Sequence, residues 1–193
     1  MQVTLLHNTP LWIADKAIGK CWAKDKEFVD RDRMYRVGNK FKHASTLEHI
    51  NYTFDIDGVS RALLQELSRH RHASLSVKST RYTLKELKNA TDLESFLVKI
   101  GPGFDPKWNI DVLKNIQEML KTGISTDIVK YMLPEAYKTS LVWTINMRSL
   151  QNFLSLRTDK SALWEIRNLA HEVYNQVPED HQFMLSEFVK ERV

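Results

Sequence analysis

The eight residues INYTFDID, at positions 50–57, constrain the fold more than any other segment of this chain. Apolar and polar side chains alternate along the whole segment, which is typical of a β-strand with one buried face. Gly58 follows, and we expect the strand to end there. The next segment, VSRALLQELSRHR, spaces Val59, Leu63 and Leu67 four residues apart and predicts an amphipathic helix that continues into the arginines. A strand followed directly by a helix is therefore the first unit that the sequence predicts.

Periodicity elsewhere in the chain predicts few strands and several helices. VTLLH has the pattern of an edge strand, and YKTSLVWTINM, which is rich in β-branched and aromatic residues, has that of a core strand. Helical spacing marks residues 10–22, 108–122, 125–132, 149–157, 161–177 and 179–191, with Ser149 and Ser161 as the expected N-caps of two of them. These elements predict a mixed α/β (α+β) fold with helices packed on a small, mostly antiparallel sheet. Neither a repeat nor a linker divides the sequence, so we expect residues 1–193 to form a single domain.

The charge and the cysteine content narrow the class of protein. A net charge of +4, from 28 basic and 24 acidic residues, permits an anionic partner without requiring one. Cys21 is the only cysteine, so no internal disulfide can form, and we expect a half-buried apolar residue rather than a catalytic thiol. No apolar run approaches the ~20 residues of a membrane helix, and the N-terminus lacks the pattern of a signal peptide. We therefore expect a cytoplasmic protein without a membrane partner.

The segment LSRHRHASLSVKSTRYT, residues 67–83, concentrates positive charge beside hydroxyl groups and contains no acidic residue, glycine or proline. One interpretation is that the cations at 69–71 cap the end of a helix, where they favour the dipole by ~0.3–1 kcal/mol. The other is a phosphate site, in which a loop after the helix end holds a phosphorylated ligand with the hydroxyls of Ser76, Ser79 and Thr80 and the guanidinium fork of Arg81. The charge pattern by itself fits both interpretations.

Several functional motifs are absent from the sequence. Its six glycines form neither GxGxxG nor a P-loop, which argues against a Rossmann or NTPase site. No HExxH motif or carboxylate cluster accompanies His70 and His72, so we expect no metal site, and no GxSxG elbow supports a serine hydrolase. A basic nucleic-acid-binding module without catalysis stays an alternative, although the charge is local and no RNP1-like motif is visible. A structural homo-oligomer is the third possibility.

A second polar cluster lies in NMRSLQNFLSLR, residues 146–157. Arg148 and Asn152 are four residues apart and share a helix face, whereas Arg157 lies about 140° further around the helix. If all three side chains bind ligands, they must therefore point into different sites. Such divergence is expected when binding sites lie between the subunits of an oligomer.

The segment RHRHASLSVKSTRY resembles the signature of the flavin-dependent thymidylate synthases, in which RHR is followed by seven residues and a serine. Here the arginines are Arg69 and Arg71, and the serine is Ser79. Two further segments are similar to family segments in the same order: KHASTLEHINYTF, residues 42–54, and the longer block at 133–170. The resemblance thus covers most of the chain.

This resemblance implies a reaction, a set of cofactors and an assembly. Family members methylate dUMP to dTMP with methylenetetrahydrofolate as the carbon donor and NADPH as the reductant, which acts through FAD. The resemblance also implies a homotetramer whose active sites combine several subunits. A protein nucleophile is not needed, so an unreactive Cys21 is compatible with the family.

The resemblance also implies roles for individual residues. The implied FAD-binding residues are Ser45, Arg69, His70, Arg71, Asn146, Arg148 and Asn152. The implied dUMP-binding residues are Glu66, Arg69, Val77, Ser79, Arg81, Lys130 and Arg157. His43 matches a position on the folate and NADPH side. Arg157 is the expected catalytic residue, because a guanidinium against uracil favours the N3-deprotonated ring.

Three of these positions depart from the family pattern. Glu66 stands where the family has glutamine, and Val77 stands where it often has glutamate. Lys130 stands in place of an arginine, so it keeps the charge but lacks the two-pronged fork of a guanidinium. We expect these departures to change individual contacts with dUMP more than the activity itself.

Overall fold

A four-stranded antiparallel sheet is the framework of the protein, whose computed structural model describes residues 1–24 and 29–191. The strands are β1 (Gln2–Asn8), β2 (Asn51–Ser60), β3 (Ala73–Val77) and β4 (Lys138–Asn146). They lie in the order β1-β2-β4-β3, and each neighbouring pair is antiparallel. The expected mixed α/β fold with a small antiparallel sheet is confirmed, as are the edge position of β1 and the central position of β4.

The sheet buries one of its faces. On β2, Tyr52 and Phe54 point into the core, and Phe54 lies opposite Trp143 of β4. The other face carries polar side chains, among them Thr53 and Thr144, whose hydroxyl oxygens are 3.0 Å apart. This arrangement follows from the alternation in INYTFDID, because successive side chains of a strand point to opposite faces.

Strand β2 continues through Gly58 to Ser60, so the prediction that it ends at the glycine is wrong. Gly58 has a φ of +70°, and the pairing of β2 with β4 shifts its register there. Glycine adopts this left-handed conformation without steric cost, which permits an irregularity in the ladder instead of a stop. The hydroxyl of Ser60 then caps helix α3 (Arg61–Leu67) by accepting a hydrogen bond from the backbone N–H of Leu63 at 2.9 Å.

The basic segment folds into a turn and an edge strand rather than into a longer helix. Helix α3 ends at Leu67, and residues 73–77 pair with β4 as strand β3. Leu75 and Val77 pack against the core, whereas the serines of this strand are exposed. The prediction of a loop here is therefore wrong. The strand was not predicted because the alternation in ASLSV covers only five residues and lies among charged ones.

Nine α-helices are present in the described part of the chain. They are α1 (Trp12–Trp22), α2 (Arg31–Tyr35), α3, α4 (Thr80–Thr83), α5 (Lys107–Lys121), α6 (Thr126–Val129), α7 (Met147–Arg157), α8 (Trp164–Gln176) and α9 (Glu179–Gln182). Between them lie 3₁₀ turns at Ala44–His49, Leu84–Asn89, Glu94–Phe96, Lys130–Met132 and Ser186–Phe188, and a π-helical turn at Arg36–Lys40. Within residues 1–24 and 29–191, no helix has both the length and the apolar character that crossing a membrane requires.

Three predictions about helix ends are wrong. Helix α7 is capped by Asn146, whose side-chain oxygen accepts from the N–H of Ser149 at 2.8 Å, so Ser149 lies inside the helix. Ser161 does not cap α8 and instead donates its hydroxyl to Asp159 at 2.6 Å. The helix expected over 179–191 consists of the four-residue α9 and a separate 3₁₀ turn. An N-cap side chain must precede the first helical turn, so the asparagine before α7 takes the place of the serine within it.

Among the residues that the structure describes, two hydrophobic clusters hold these elements together. The larger lies between the buried face of the sheet and helices α1, α3, α7 and α8, and in it Trp143 contacts Phe153 edge to face with 4.9 Å between the ring centroids. The smaller joins α5 to the 3₁₀ turn Leu84–Asn89 and to Tyr137. Strand β4 begins directly after Tyr137, so the chain passes from the smaller cluster straight into the larger one.

We expect the stability of the protein to fall in acid because of His181. This side chain is 2% exposed, and its Nδ1 lies 2.8 Å from the hydroxyl of Tyr52. Burial lowers the pKa of His181 below its ordinary value of 6.5, against an opposite effect of Asp180. The unfolded chain therefore binds a proton that the folded chain does not, so the free energy of unfolding decreases as the pH falls below 6.5.

Thermal unfolding between about pH 5 and pH 8 measures this dependence. His181→Gln keeps a hydrogen-bonding side chain but does not titrate, and its unfolding temperature should change less with pH than that of the wild type. His7→Gln, at an exposed position on β1, is the matched control and should leave the pH dependence unchanged. Equal pH dependence in the wild type and in His181→Gln would contradict the assignment.

Candidate active site

Arg69, His70 and Arg71 lie in the turn between α3 and β3 and face different surroundings. His70 turns inward, and its ring contacts Phe153 edge to face with 5.0 Å between the centroids. Arg69 and Arg71 are exposed, and Arg69 lies 3.7 Å from a carboxylate oxygen of Glu66. The turn therefore directs the His70 ring inward and presents two guanidinium groups to the solvent.

A cluster of Arg157, Glu66 and His70 joins the C-terminal end of α7 to that of α3. Nη1 of Arg157 donates to the Glu66 carboxylate at 2.7 Å, and Nη2 donates to the Glu66 backbone carbonyl at 3.2 Å. Nε of Arg157 donates to Nε2 of His70 at 2.9 Å. The Arg157 side chain is 16% exposed, so part of it still reaches the surface. The structure thus brings together three predicted site residues, although Arg157 is 87 and 91 positions from its two partners.

His70 is uncharged in this cluster. Burial lowers its pKa to about 4; the charges of Arg157 and Arg69 act in the same direction, and that of Glu66 opposes them. Since Nε2 accepts a hydrogen bond from the Nε–H group of Arg157, the single N–H proton of the neutral ring lies on Nδ1. His70 therefore serves Arg157 as an acceptor and keeps one donor for another group.

Ser79 and Arg81 lie at the exposed start of helix α4, where Ser79 occupies the N-cap position. Arg81 donates from Nε and Nη2 to the two carboxylate oxygens of Asp127, at 2.6 and 3.2 Å. This two-pronged geometry is also the one in which arginine binds a phosphate group. Of the hydroxyl groups expected in the phosphate cradle, that of Thr80 belongs to a residue only 7% exposed, whereas Ser76 and Ser79 are exposed.

The other predicted flavin-binding residues lie on α7 or beside it. Asn146 caps this helix, and Arg148 lies in its first turn. Ser45 is exposed on the 3₁₀ turn that packs against α7, and Asn152 is exposed on α7 itself. The 11 residues of α7 span about 16 Å. Asn146 and Arg148 therefore lie at the opposite end of α7 from Arg157 within one chain, whereas Asn152 lies midway along the helix.

Three further predicted residues lie apart from these groups. His43 is exposed just before the 3₁₀ turn that contains Ser45. Val77 is the last residue of β3, and its side chain packs against the core, so only its backbone is available to a polar ligand group. Lys130 directly follows α6 and is partly exposed. All three positions reach the surface, as a binding position requires.

Sequence reasoning missed two acidic residues that pair with predicted site arginines. Glu48 accepts from Arg148 at 2.6 Å, and Asp127 accepts from Arg81. The partners are 100 and 46 positions apart in the chain, so no local pattern predicts either pair. Both pairs are exposed, which allows a ligand to replace the carboxylate.

Cys21 is exposed in the last turn of α1, so the expectation that it is half-buried is wrong. The buried residues of α1 end at Gly19, and the last turn therefore extends beyond the core. Among the residues that the structure describes, no group of three or more His, Cys, Asp or Glu side chains is placed to hold a metal ion.

The fold, together with the signature turn at residues 69–71 between α3 and β3, defines the class of protein. A family model described as thymidylate synthase complementing protein matches residues 12–181, and the chain belongs to this family. Its relatives include a flavin-dependent thymidylate synthase from Campylobacter jejuni (strain RM1221). The two sequences are 52% identical over an aligned length of 202 residues, and the alignment covers 95% of each chain. Another, from Helicobacter pylori (strain J99), is 45% identical over an aligned length of 207 residues, and the alignment covers 98% of this chain and 100% of the relative. The resemblance seen in the RHR signature is confirmed.

Solved structures agree with this membership. The crystal structure of thymidylate synthase X from Helicobacter pylori, with FAD and dUMP, has a TM-score of 0.92 at 42% identity and covers 99% of this chain and 100% of that one. The UMP/dUMP methylase PolB from Streptomyces cacaoi, bound with 5-Br dUMP, has a TM-score of 0.69 at 22% identity, covers 90% and 88%, and shares the fold alone. The alternative of a nucleic-acid-binding module finds no support in these relatives.

Proposed function

We propose that this protein is a flavin-dependent thymidylate synthase. It methylates dUMP to dTMP with methylenetetrahydrofolate as the carbon donor and NADPH as the reductant through FAD. The observation that carries the proposal is the likeness, over 99% of the chain, to a Helicobacter pylori enzyme solved with FAD and dUMP. The contact between Arg157 and His70 supports it, because it links the RHR turn to another residue that the family resemblance selects.

The residues present fit an anionic flavin nucleotide. FAD carries a pyrophosphate, and Arg69, Arg71 and Arg148 are exposed guanidinium groups of the kind that bind phosphate with paired hydrogen bonds. The remaining proposed FAD-binding residues are Ser45, His70, Asn146 and Asn152. When bound, FAD supplies hydride transfer from NADPH. The protein's part is to hold the cofactor and orient it.

The proposed dUMP site contains Glu66, Arg69, Val77, Ser79, Arg81, Lys130 and Arg157. Arg81 binds the phosphate with the fork that Asp127 holds in the free protein, and Ser79 binds rather than attacks the nucleotide. Arg157 is the catalytic residue and lies against the uracil ring. Its positive charge lowers the pKa of the N3–H group and makes the ring electron-rich for attack on the methylene donor.

The proposal includes a homotetramer with active sites shared among subunits. Within one chain, the FAD ligands around Asn146 and the cluster around Arg157 are at opposite ends of α7, about 16 Å apart. A neighbouring subunit can supply the missing group to each site. We also propose that His43 lies on the folate and NADPH side, and that a single domain spanning 1–193 acts in the cytoplasm.

Purified protein tests the proposal directly. We expect it to be yellow, to oxidise NADPH and to form dTMP from dUMP and methylenetetrahydrofolate. Protein that stays colourless after incubation with FAD and makes no dTMP would refute the proposal. Nucleic-acid binding by flavin-free protein that weakens steeply with salt would favour the binding module instead.

Replacing Cys21 with alanine should leave dTMP formation within about twofold of the wild type and the free energy of unfolding within about 0.5 kcal/mol. The side chain is exposed at the end of α1, and the proposed chemistry does not use a protein nucleophile. Steady-state turnover and thermal unfolding of both proteins measure the two quantities. Complete inactivation of a folded variant would point to a catalytic thiol.

A further inference from the structure

Glu66 and His70 use most of the hydrogen-bonding capacity of Arg157. A guanidinium has five N–H groups, and three of them are bound here, two by Glu66 and one by His70. Within the described part of the chain, one N–H on each terminal nitrogen is left for a ligand. Because the side chain is held at three points, these two donors keep a defined direction.

The two partners of Arg157 are themselves held in place. Glu66 belongs to α3, whose apolar face is buried. The His70 ring packs on Phe153, and Phe153 in turn packs on Trp143 at 4.9 Å. The frame around the guanidinium is therefore connected to the main hydrophobic cluster, which limits how far Arg157 can move.

We propose that Glu66 is a positioning residue for Arg157, which it orients so that the two free donors face the uracil ring. His70 assists by accepting a hydrogen bond from the Nε–H group of Arg157. The inference rests on the proposed function, since it concerns the same site. It assigns Glu66 to the arginine because its carboxylate oxygen Oε2 and its backbone carbonyl both accept from Arg157. Orientation matters, because a misplacement of about 1 Å in a catalytic group can cost roughly 100-fold in rate.

Glu66 also brings a negative charge close to Arg157, and this charge opposes the stabilisation of a deprotonated uracil. Reach and charge can be separated by substitution. Glutamine accepts the same hydrogen bond without the charge, whereas aspartate keeps the charge on a side chain that is one methylene shorter. A positioning role depends on reach, and a purely electrostatic role depends on charge.

The experiment compares Glu66→Gln, Glu66→Asp and Glu66→Ala in the FAD-loaded protein. We expect Glu66→Gln to keep kcat within about fivefold of the wild type, and Glu66→Asp and Glu66→Ala to lower it about 10- to 100-fold. The KM for dUMP should change less than kcat. Glu118→Ala, which breaks an exposed ion pair with Lys121, is the matched control and should not change kcat. Thermal unfolding and flavin absorbance show whether each variant folds.

A double variant shows whether Glu66 acts through Arg157. In an Arg157→Ala background, Glu66→Ala should lower kcat no further, because the residue that it positions is gone. A further loss in that background would overturn the proposal, as would higher activity in Glu66→Asp than in Glu66→Gln. If Glu66→Ala does not fold, the comparison of Gln with Asp still decides. A wild type that forms no dTMP would refute the proposed function, and the two failures are thereby distinguishable.

Discussion

Replacing Arg157 with alanine is expected to lower kcat for dTMP formation about 100- to 1000-fold while the protein still folds and binds FAD. The Arg157 side chain is only 16% exposed, and Glu66 and His70 fix its guanidinium, so in the proposed mechanism it stabilises negative charge on the uracil without reorganising. Removal of one such preorganised donor costs about 2.7–4 kcal/mol in known enzymes. The Glu66 side chain is 31% exposed, so water can solvate its carboxylate in the variant and folding is retained. Turnover at saturating dUMP, with flavin absorbance of the same sample, measures the effect.

Two further variants test whether the loss of activity is specific to the guanidinium of Arg157. Arg157→Lys keeps the charge but cannot bind Glu66 and His70 together and also present two donors, so we expect it to recover only part of the activity. Arg167→Ala removes a matched arginine on α8, whose Nη1 donates to the carbonyl of Lys160 at 2.9 Å, and should not change kcat. Wild-type turnover in Arg157→Ala would refute the role of Arg157.

Replacing Arg81 with alanine should raise the KM for dUMP about 10- to 100-fold and change kcat much less. Arg81 already forms paired bonds to the two oxygens of Asp127, at 2.6 and 3.2 Å, and a phosphate offers the same geometry. Hydrogen bonds to charged groups contribute about 1.5–3 kcal/mol, and each 1.4 kcal/mol corresponds to a factor of about ten in affinity. Steady-state kinetics over a range of dUMP concentrations separate KM from kcat.

The matched control for Arg81 is Lys114→Ala, which removes an exposed cation paired with Asp111 at 3.0 Å and should leave the KM unchanged. Arg81→Lys keeps a point charge without the fork, so its KM should lie between those of the wild type and the alanine variant. A KM in Arg81→Ala equal to that of the wild type would show that the phosphate is bound elsewhere.

The sequence predicted those elements in which a periodic pattern of apolar residues extends over many positions. Strands β2 and β4 and the longer helices bury a face or stripe that repeats over enough residues to be distinguished from chance. Strand β3 has five residues and α4 and α9 have four each, which is too short for a period to be clear. The irregularity at Gly58 was equally unpredictable, because a glycine is compatible with the end of a strand and with a bulge.

The sequence predicts which residues form the candidate site, but it does not predict the contacts between them. The RHR signature selects residues by their likeness to a family, and it says nothing about which side chains touch. Glu66 and Arg157 are 91 positions apart, and Arg81 and Asp127 are 46 apart. Contacts of this kind depend on where helices end relative to one another in three dimensions. The observation that the glutamate at position 66 binds an arginine therefore required the structure.

The uncharged state of His70 determines how the signature turn responds to pH. Its pKa of about 4 means that the imidazole between Arg69 and Arg71 gains a proton only in acid. Arginine side chains keep their charge throughout the range in which proteins stay folded. Residues 69–71 therefore present a constant double positive charge around neutral pH, whereas the dianion of a phosphate monoester takes up a proton near pH 6. Near neutral pH, the electrostatic attraction between these three residues and a nucleotide therefore changes only when the nucleotide gains or loses a proton. The charge of residues 69–71 stays the same.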